Sequence, residues 1–460
     1  TPNDLLIVLN DNNMSIDRSV GGLKHYLHSL HTSSTYNNWR YRTSQRLQQW
    51  GWMTEERKKQ ILSFNNALKA LLNNQQNIFE GMHIRYFGPY DGHNVIELVE
   101  TLQNIKEMKG PKILHLHTKK GKGFEPAEKN ATKYHAPGKF NPETGEIIRT
   151  KVEGMPPKYQ DVFGHTLLEL AKQNPRIVGI TPAMPSGSSL NIMMKEMPDR
   201  TFDVGIAEGH ACAMAAGMAK QGLVPVFAVY SSFLQRGYDQ LIHDIALSNL
   251  HVVLAVDRAG LVGADGETHH GVFDATFLSD IPNMTVLCPT NYAELRSMLR
   301  RAVFEIDGPV AIRYPRGGEG AYTADSGEEN VAVLRDGTDV TLCAYGTMIN
   351  SVLAAAEILA QRNISARVVK FNCISPFHAD DLRETLIGSR ALLIAEEATS
   401  VGCVGQRVAA ILAENGIAPE KLVLCNLNKE FPVQGTVEQL RSQFGLNAEM
   451  LAKKAAEVID

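Results

Sequence analysis

Short apolar runs of strand length alternate with amphipathic helical patterns through most of the chain. The first run covers residues 5–9, and residues 94–108 carry apolar positions at helical spacing before a second run at 113–117. Alternation of this kind is typical of parallel sheets covered by helices. The pattern predicts an α/β protein built from doubly wound parallel sheets.

Two polar segments divide this pattern into three domains. Residues 118–156 are rich in Lys, Gly and Pro and are predicted to form a linker or lid, and the Gly-rich residues 317–330 precede a third βα series. The irregular stretch 21–76 is predicted to be helical. The predicted domains are residues 1–117, 157–322 and 323–460, with the linker at 118–156. Predicted strands of the last two domains are 176–180, 224–230, 252–256, 284–287, 310–313, 340–345, 366–371, 391–396 and 422–426.

Charge and cysteine usage exclude several classes of protein. The chain has 46 Lys and Arg against 50 Asp and Glu, a net charge of −4, which argues against a nucleic-acid binder or a polybasic membrane-surface protein. Apolar runs such as 223–230 are too short to span a bilayer. The six cysteines form no C-x-x-C pair, which favours free buried thiols in a reducing cytosol over disulfides or a zinc site.

Two polar motifs follow predicted strands of the first domain. Asn10, Asp11 and Asn12 come directly after the first strand, where open α/β sheets bind ligands, and their oxygens suit a hard cation such as Mg²⁺. An Asx turn explains the same residues without any ligand. Residues 118–124 are basic and Gly-rich but lack P-loop spacing, so a phosphate-binding turn and a solvated turn are both open.

Three further polar motifs lie at predicted strand ends of the second domain. Glu208 opens a helix dominated by Ala and Gly, where it serves either the helix dipole or a ligand nitrogen. Residues 257–271 concentrate Arg, Asp and His in a Gly-rich loop after a strand, which favours binding or acid–base catalysis over packing. Arg316 follows another strand and is either a phosphate ligand or part of a surface ion pair.

Together these motifs resemble the 1-deoxy-D-xylulose-5-phosphate synthases, thiamine-diphosphate enzymes of the transketolase superfamily. The resemblance covers essentially the whole chain. It rests on LNDNNMSI (9–16), GPYDGHN (88–94), TKKGKGFEPAE (118–128), IAEGHA (206–211), YSSFLQRGYDQ (230–240), DRAGLVGADGETHHG (257–271) and RYPRG (313–317).

The resemblance implies three transketolase-type domains and a thiamine-diphosphate- and Mg²⁺-dependent homodimer. The family decarboxylates pyruvate and joins the two-carbon unit to D-glyceraldehyde 3-phosphate, at the entry to non-mevalonate isoprenoid biosynthesis and on the way to thiamine. The implied metal ligands are Asn12 and the carbonyl of Met14. The implied cofactor contacts are Asn12, Phe124, Glu208 and Phe233. The implied substrate-binding residues are Tyr230, Arg236, Arg258 and Arg316, and the implied catalytic residues are Glu208, His135, Asp265 and His269.

The chain departs from the family pattern in three places. Phe124 stands where the family usually has Tyr, and Gly209 where it has Gln. The Gly-Asp-Gly segment and an upstream catalytic His precede residue 1 in the family, so the chain is expected to be N-terminally truncated and inactive on its own. Another transketolase-type thiamine enzyme, and a non-catalytic remnant that only binds or dimerises, are the alternatives. The expected location is the bacterial cytoplasm, with a plastid left open.

Overall fold

The chain forms two compact units, which comprise Thr1–Thr150 and Lys151–Asp460. The computed structural model describes residues 4–12, 14, 78–135, 137–148, 157–386, 388, 390–417 and 419–459. The helical stretch predicted at 21–76 lies outside these residues. Among the described residues, no helix combines the length and apolar character needed to cross a bilayer.

The first unit contains a parallel sheet in the order β1-β3-β2. Among its described residues, the strands are β1 (Leu6–Asp11), β2 (Arg85–Asp91) and β3 (Lys112–His117), and the helices are α1 (Ile78–Gly81), α2 (Val95–Ile105) and α3 (Glu125–Lys129). The side chain of Asn94 caps α2 by accepting a hydrogen bond from the Glu97 amide. The GPYDGHN motif, to which the sequence assigned no element, supplies the end of β2.

The predicted linker contains more structure than its composition indicated. Besides α3, an isolated bridge joins Phe140 to Ile147. Phe124, Tyr134 and Phe140 pack as an aromatic cluster with ring centroids 5.5 to 5.9 Å apart. This cluster supplies a local apolar core that a search for helical or strand periodicity does not detect.

The second unit begins with a sheet of seven strands in the order β13-β8-β9-β7-β6-β4-β5. Its strands are β4 (Ile177–Thr181), β5 (Thr201–Asp203), β6 (Val224–Tyr230), β7 (Val253–Asp257), β8 (Thr285–Leu287), β9 (Val310–Tyr314) and β13 (Cys373–Ser375). Its α-helices include α4 (Tyr159–Gln173), α5 (Asn191–Glu196), α6 (Glu208–Lys220), α7 (Ser231–Leu234), α8 (Tyr238–Gln240), α9 (Asp274–Ser279) and α10 (Tyr292–Phe304).

The remainder of the second unit is built on a five-stranded sheet in the order β10-β12-β11-β14-β15. Its strands are β10 (Val331–Arg335), β11 (Val340–Ala344), β12 (Ala366–Phe371), β14 (Ala391–Ala395) and β15 (Lys421–Cys425). Its helices are α11 (Met348–Ala360), α12 (Ala379–Leu386), α13 (Val404–Glu414), α14 (Val437–Gln443) and α15 (Ala448–Ile459). We call residues 323–460 the C-terminal domain.

Both larger sheets depart from the purely parallel arrangement that was predicted. β10 runs antiparallel to β12 at one edge of its sheet, and β13 runs antiparallel to β8. β13 follows β12 in the chain, so a strand from the C-terminal domain completes the sheet of the preceding domain. Both antiparallel strands lie at edges, where mixed sheets commonly carry them.

Each larger sheet has its own apolar core, in which the central strands are buried on both faces. All six cysteines are free and buried, as predicted. A buried ion pair also joins the two sheets, because Lys370 of β12 donates to Glu294 of α10 and both side chains are fully buried. The two sheets of the second unit are therefore linked by this ion pair as well as by strand β13.

Candidate functional site

The second unit brings its predicted site residues to one edge of the seven-stranded sheet. Strands β6, β7 and β9 are parallel neighbours, and their last residues, Tyr230, Asp257 and Tyr314, pair in register. The motifs that begin at Tyr230, Arg258 and Arg316 therefore leave the sheet side by side. The carboxyl edge of such a sheet is where α/β proteins bind ligands.

Glu208 is held at the start of α6 by a tight turn. The Asp203 carboxylate accepts hydrogen bonds from the amides of Gly205 (2.9 Å) and Ala183 (2.8 Å), and Gly205 adopts a left-handed φ of 74°. Glu208 is 3 % exposed and its Oε1 accepts a hydrogen bond from Arg236. Burial of a carboxylate and its charged partner costs desolvation free energy that stabilisation by the helix dipole alone does not offset. The burial of Glu208 therefore favours the ligand-binding alternative.

Three rings and two guanidinium groups form a continuous column across this edge. Tyr230 and Phe233 stack with centroids 5.5 Å apart, and His269 packs edge-on against Phe233 at 5.3 Å. Arg258 lies 4.0 Å from the centroid of Tyr230, and Arg236 lies 4.9 Å from that of Phe233. The column connects the Glu208 carboxylate, through Arg236, to Arg258.

Arg258 is buried rather than presented on an open loop. Its Nη1 donates to Asp257, to Gln160 Oε1 (2.8 Å) and to the Gly187 carbonyl (3.2 Å). Its Nε is buried and has no hydrogen-bond partner within the described part of the chain. Burial raises the pKa of Asp257 to about 6, although the Arg258 guanidinium opposes the shift. Burial also raises the pKa of Tyr230 to about 12, so its hydroxyl is neutral at pH 7.

Arg316 and Asp265 form an ion pair beside this column. Arg316 Nε lies 3.1 Å from Asp265 Oδ2, and both side chains are partly exposed. The charge of Arg316 also lowers the pKa values of Tyr230 and Asp257, a smaller effect than burial. Arg316 and Arg258 thus both act on the electrostatics of Tyr230 and Asp257.

Gly209 leaves little space for the longer side chain that the family pattern has there. A Cβ at this position would lie 3.1 Å from Gln240 Oε1, an oxygen that is itself buried without a partner among the described residues. A larger residue at 209 would require Gln240 to move. The Gly at position 209, where the family usually has Gln, is therefore compatible with the observed position of the Gln240 side chain.

The other four predicted site residues lie in the first unit. Asn12 Oδ1 accepts a hydrogen bond from the Met14 amide (3.0 Å), which is the Asx turn considered as the alternative to a metal ligand. Phe124 belongs to the aromatic cluster of the predicted linker. His135 is exposed, and its Nδ1 lies 3.0 Å from Lys120 Nζ.

The NDN motif is anchored to the end of strand β3. The Thr118 amide donates to the Asp11 carbonyl (2.8 Å), and the Thr118 hydroxyl donates to Asn10 Oδ1 (2.6 Å). His115 Nε2 lies 3.3 Å from Asp11 Oδ2. Within the described residues, no group of three or more His, Cys, Asp and Glu side chains is placed to hold a metal ion. Besides the Asp11 carboxylate, which lies beside His115, this motif offers amide and carbonyl oxygens as ligand atoms for Mg²⁺.

Several residues of the site could not be found from the sequence. Gln160 is 98 positions from Arg258 in the chain, and no local pattern connects them. Asp203 and Asp257 stand at the ends of strands, where Asp is common as a turn residue, so their position alone does not mark them as site residues. Of these residues, only Asp257 could have been recognised from the sequence, because an acidic residue next to an Arg at a strand end suggests a buried ion pair.

Comparison with known proteins gives three family matches along the chain. Residues 1–118 match the 1-deoxy-D-xylulose-5-phosphate synthase family, residues 155–318 the pyrimidine-binding domain of transketolase, and residues 329–451 the C-terminal domain of transketolase. These matches follow the order of the predicted domains.

Similar curated proteins include several named 1-deoxy-D-xylulose-5-phosphate synthase. The relative from Bacteroides thetaiotaomicron is 49 % identical over 462 residues, which cover 99 % of this chain and 71 % of the relative. The one from Porphyromonas gingivalis is 45 % identical over 464 residues, covering 100 % and 73 %. A solved structure titled split gene transketolase, inactive beta4 tetramer, is similar with a TM-score of 0.58 and 28 % identity, covering 66 % of this chain and 98 % of that one.

Proposed function

The chain belongs to the 1-deoxy-D-xylulose-5-phosphate synthase family, and from this premise we propose that it decarboxylates pyruvate and transfers the two-carbon unit to D-glyceraldehyde 3-phosphate. It is a thiamine-diphosphate-dependent transferase of the transketolase type. The observation that supports the reaction best is the column that connects a buried carboxylate to a buried arginine at one sheet edge. A cofactor site and a phosphate site are both needed for this chemistry, and we propose one at each end of the column.

Thiamine diphosphate fits the residues at the Glu208 end. The buried Glu208 carboxylate would accept a hydrogen bond from the aminopyrimidine ring, and Phe233, whose ring contacts Arg236, would offer an aromatic face to the same cofactor. When bound, the cofactor supplies the nucleophilic carbon and holds the electrons released by decarboxylation. Arg236 donates a hydrogen bond to Glu208 Oε1 and so orients the carboxylate. Glu208 then controls the protonation of the ring without itself contacting the substrate.

The phosphate of the acceptor fits the Arg258 end. Arg258 has a buried Nε without a described partner, and Arg316 lies on the adjacent strand end with a partly exposed guanidinium. Two guanidinium groups bind a phosphate with charge-assisted, directional hydrogen bonds. Tyr230 lies under Arg258 as a neutral ring and holds it in place. His269 and Asp265 are proposed to bind the reacting polar groups between the two ends.

The first unit is proposed to supply a metal site and a further histidine to the reaction. Asn12 and the Met14 carbonyl would bind Mg²⁺ together with the cofactor's diphosphate, which supplies the anionic oxygens that this cation prefers. Phe124 is proposed to contact the cofactor and His135 to reach the reacting carbons. A homodimer and a bacterial cytoplasmic location are part of the same proposal. The proposed domains are residues 1–117, 157–322 and 323–460, with a lid at 118–156.

Product analysis with the protein expressed from its full gene tests the proposed reaction. Thiamine diphosphate, Mg²⁺, [1-¹³C]pyruvate and D-glyceraldehyde 3-phosphate should give labelled CO₂ and 1-deoxy-D-xylulose 5-phosphate in equal amounts. Use of a ketose phosphate as donor in place of pyruvate would identify another transketolase-type enzyme. Binding of the cofactor without turnover of either donor would identify a non-catalytic protein.

Acidification is expected to weaken phosphate binding before it unfolds the protein. The Asp257 carboxyl, with a pKa of about 6, takes up a proton as the pH falls from 7 to 5. Protonation removes its charge and so weakens its ion pair with Arg258. The KM for the phosphorylated acceptor should therefore rise with a midpoint near pH 6. Because this pKa lies above the ordinary value of 3.8, the native state binds the proton first, so this group does not lower the free energy of unfolding on acidification.

Asp257→Asn is the control for this pH dependence, because its amide does not titrate. The variant should have a raised KM at every pH and should retain only the change due to the substrate's own phosphate, whose second pKa is about 6. An identical pH profile in the two proteins would contradict the assignment to Asp257. Circular dichroism at each pH separates loss of binding from unfolding.

A further inference from the structure

Residues 258–271 form a closed loop that carries three of the proposed site residues, Arg258, Asp265 and His269. Gly260 and Gly271 exchange two backbone hydrogen bonds of 2.7 and 2.8 Å, which close the loop at its base. Arg258 comes before the first closing residue, Gly260, and Asp265 and His269 lie between Gly260 and Gly271. We call residues 258–271 the acceptor loop. Its position relative to the sheet decides where these three side chains lie.

Glu397 of the C-terminal domain binds the base of the acceptor loop. Its Oε2 accepts a hydrogen bond from the Leu261 amide (3.2 Å), and its Oε1 accepts one from Arg441 Nε (2.6 Å). The carboxylate approaches the loop so closely that a Cβ at residue 260, which has a φ of 78°, would lie 2.2 Å from Oε2. Glu397 is 7 % exposed, so the Leu261 amide depends on this contact rather than on water.

His270 connects the acceptor loop to the C-terminal domain at a second point. Its Nδ1 accepts a hydrogen bond from the Val262 amide (3.1 Å), and because Nδ1 is therefore unprotonated, Nε2 carries the hydrogen and donates to the Val433 carbonyl (3.2 Å). His270 is 3 % exposed. A neutral imidazole thus bridges the loop to residues of the C-terminal domain directly before α14.

We propose that Glu397 and His270 are positioning residues through which the C-terminal domain sets the acceptor loop and thereby the preference for a phosphorylated aldehyde. The inference rests on the function proposed above. Neither side chain belongs to the column that contacts the cofactor or the phosphate. The Glu397 charge is balanced by Arg441, so its effect on the loop is geometric. His270 adjoins His269, and any shift at 270 moves the ring that packs against Phe233.

Two substitutions at residue 270 separate positioning from folding. His270→Leu removes both hydrogen bonds, whereas the amide of His270→Gln can accept from Val262 and donate to Val433. We expect the leucine variant to raise the KM for D-glyceraldehyde 3-phosphate about tenfold, with the KM for pyruvate unchanged, and the glutamine variant to restore it. The preference for the phosphorylated aldehyde over D-glyceraldehyde should fall by a similar factor in the leucine variant.

Glu397→Gln tests the second contact, with Glu420→Gln as the matched control. Glu420 pairs with Arg390 in an exposed position of the same domain, and its loss should change no kinetic constant. We expect Glu397→Gln to raise the acceptor KM roughly three- to tenfold, because one amide oxygen cannot accept from both Leu261 and Arg441. The glutamine replaces glutamate with little change in volume, so this variant should fold even where His270→Leu does not.

Amide exchange gives a readout that does not depend on activity. Mass spectrometry should show faster exchange across residues 260–271 in His270→Leu and Glu397→Gln, and wild-type exchange in His270→Gln and Glu420→Gln. Equal losses for both substrates, or a glutamine variant as impaired as the leucine one, would overturn the positioning role. A wild-type protein that makes no product from pyruvate would instead overturn the proposed function, whatever the exchange data show.

Discussion

Glu208→Ala in the protein expressed from its full gene is expected to lower kcat by ~10²–10⁴-fold while the protein still folds. Glu208 is a buried carboxylate at the first position of α6, paired with Arg236, whose guanidinium also lies over the ring of Phe233. Its proposed task is to fix the protonation of the cofactor's ring, and no neighbouring carboxylate of the column replaces it. The loss should therefore appear in kcat more than in either KM.

Steady-state kinetics with both substrates, together with thermal unfolding, measures this effect. Glu208→Gln keeps the shape and one acceptor oxygen but removes the charge, and it should be nearly as impaired as the alanine variant. Glu449→Ala is the matched control, because Glu449 is an exposed acid in the first turn of α15. A kcat close to that of the wild type in Glu208→Ala would contradict the cofactor assignment.

Arg316→Leu is expected to raise the KM for D-glyceraldehyde 3-phosphate roughly 10- to 150-fold and to leave the KM for pyruvate nearly unchanged. A hydrogen bond between charged groups contributes about 1.5–3 kcal/mol, which corresponds to this range. Arg258→Leu should act on the same substrate, with an added loss of stability because it leaves Asp257 buried without its partner. Arg316 is the cleaner test, since its side chain is 40 % exposed.

Unphosphorylated D-glyceraldehyde distinguishes a phosphate contact from a general defect. It should react equally well with the wild type and with Arg316→Leu, because it lacks the group that Arg316 binds. Arg390→Leu is the matched control, as Arg390 also forms an ion pair with a carboxylate but lies on the exposed surface of the C-terminal domain. Equal loss of activity on both aldehydes would refute the phosphate assignment.

Long buried strands could be predicted from the sequence, whereas two of the three-residue strands could not. The predicted strand at 224–230 agrees with Val224–Tyr230 at both ends, because all seven residues are buried in a central strand and read as one apolar run. Thr201–Asp203 and Cys373–Ser375 were not predicted. Each has three residues, too few to show a period, and their pairing depends on strands distant in the chain.

The polar residues at the strand ends were predicted, whereas their environment was not. Arg258 was expected as a phosphate ligand on a polar loop, and the structure shows it 8 % exposed and bonded to Asp257 and Gln160. Burial of that pair is what gives Asp257 a pKa of about 6. A sequence shows which groups can ionise, but desolvation depends on every element packed around them.

The sequence by itself determined the α/β class and the residues that end the central strands, because strand period and apolar runs are local properties of the chain. Only the tertiary structure decided which of those ends are neighbours, since the order β9-β7-β6 is not the order of the sequence. It also decided that Glu397 and His270 bind the acceptor loop. The Glu397–Leu261 contact joins residues 136 positions apart and the His270–Val433 contact residues 163 apart, and separations of this size leave no trace in local patterning.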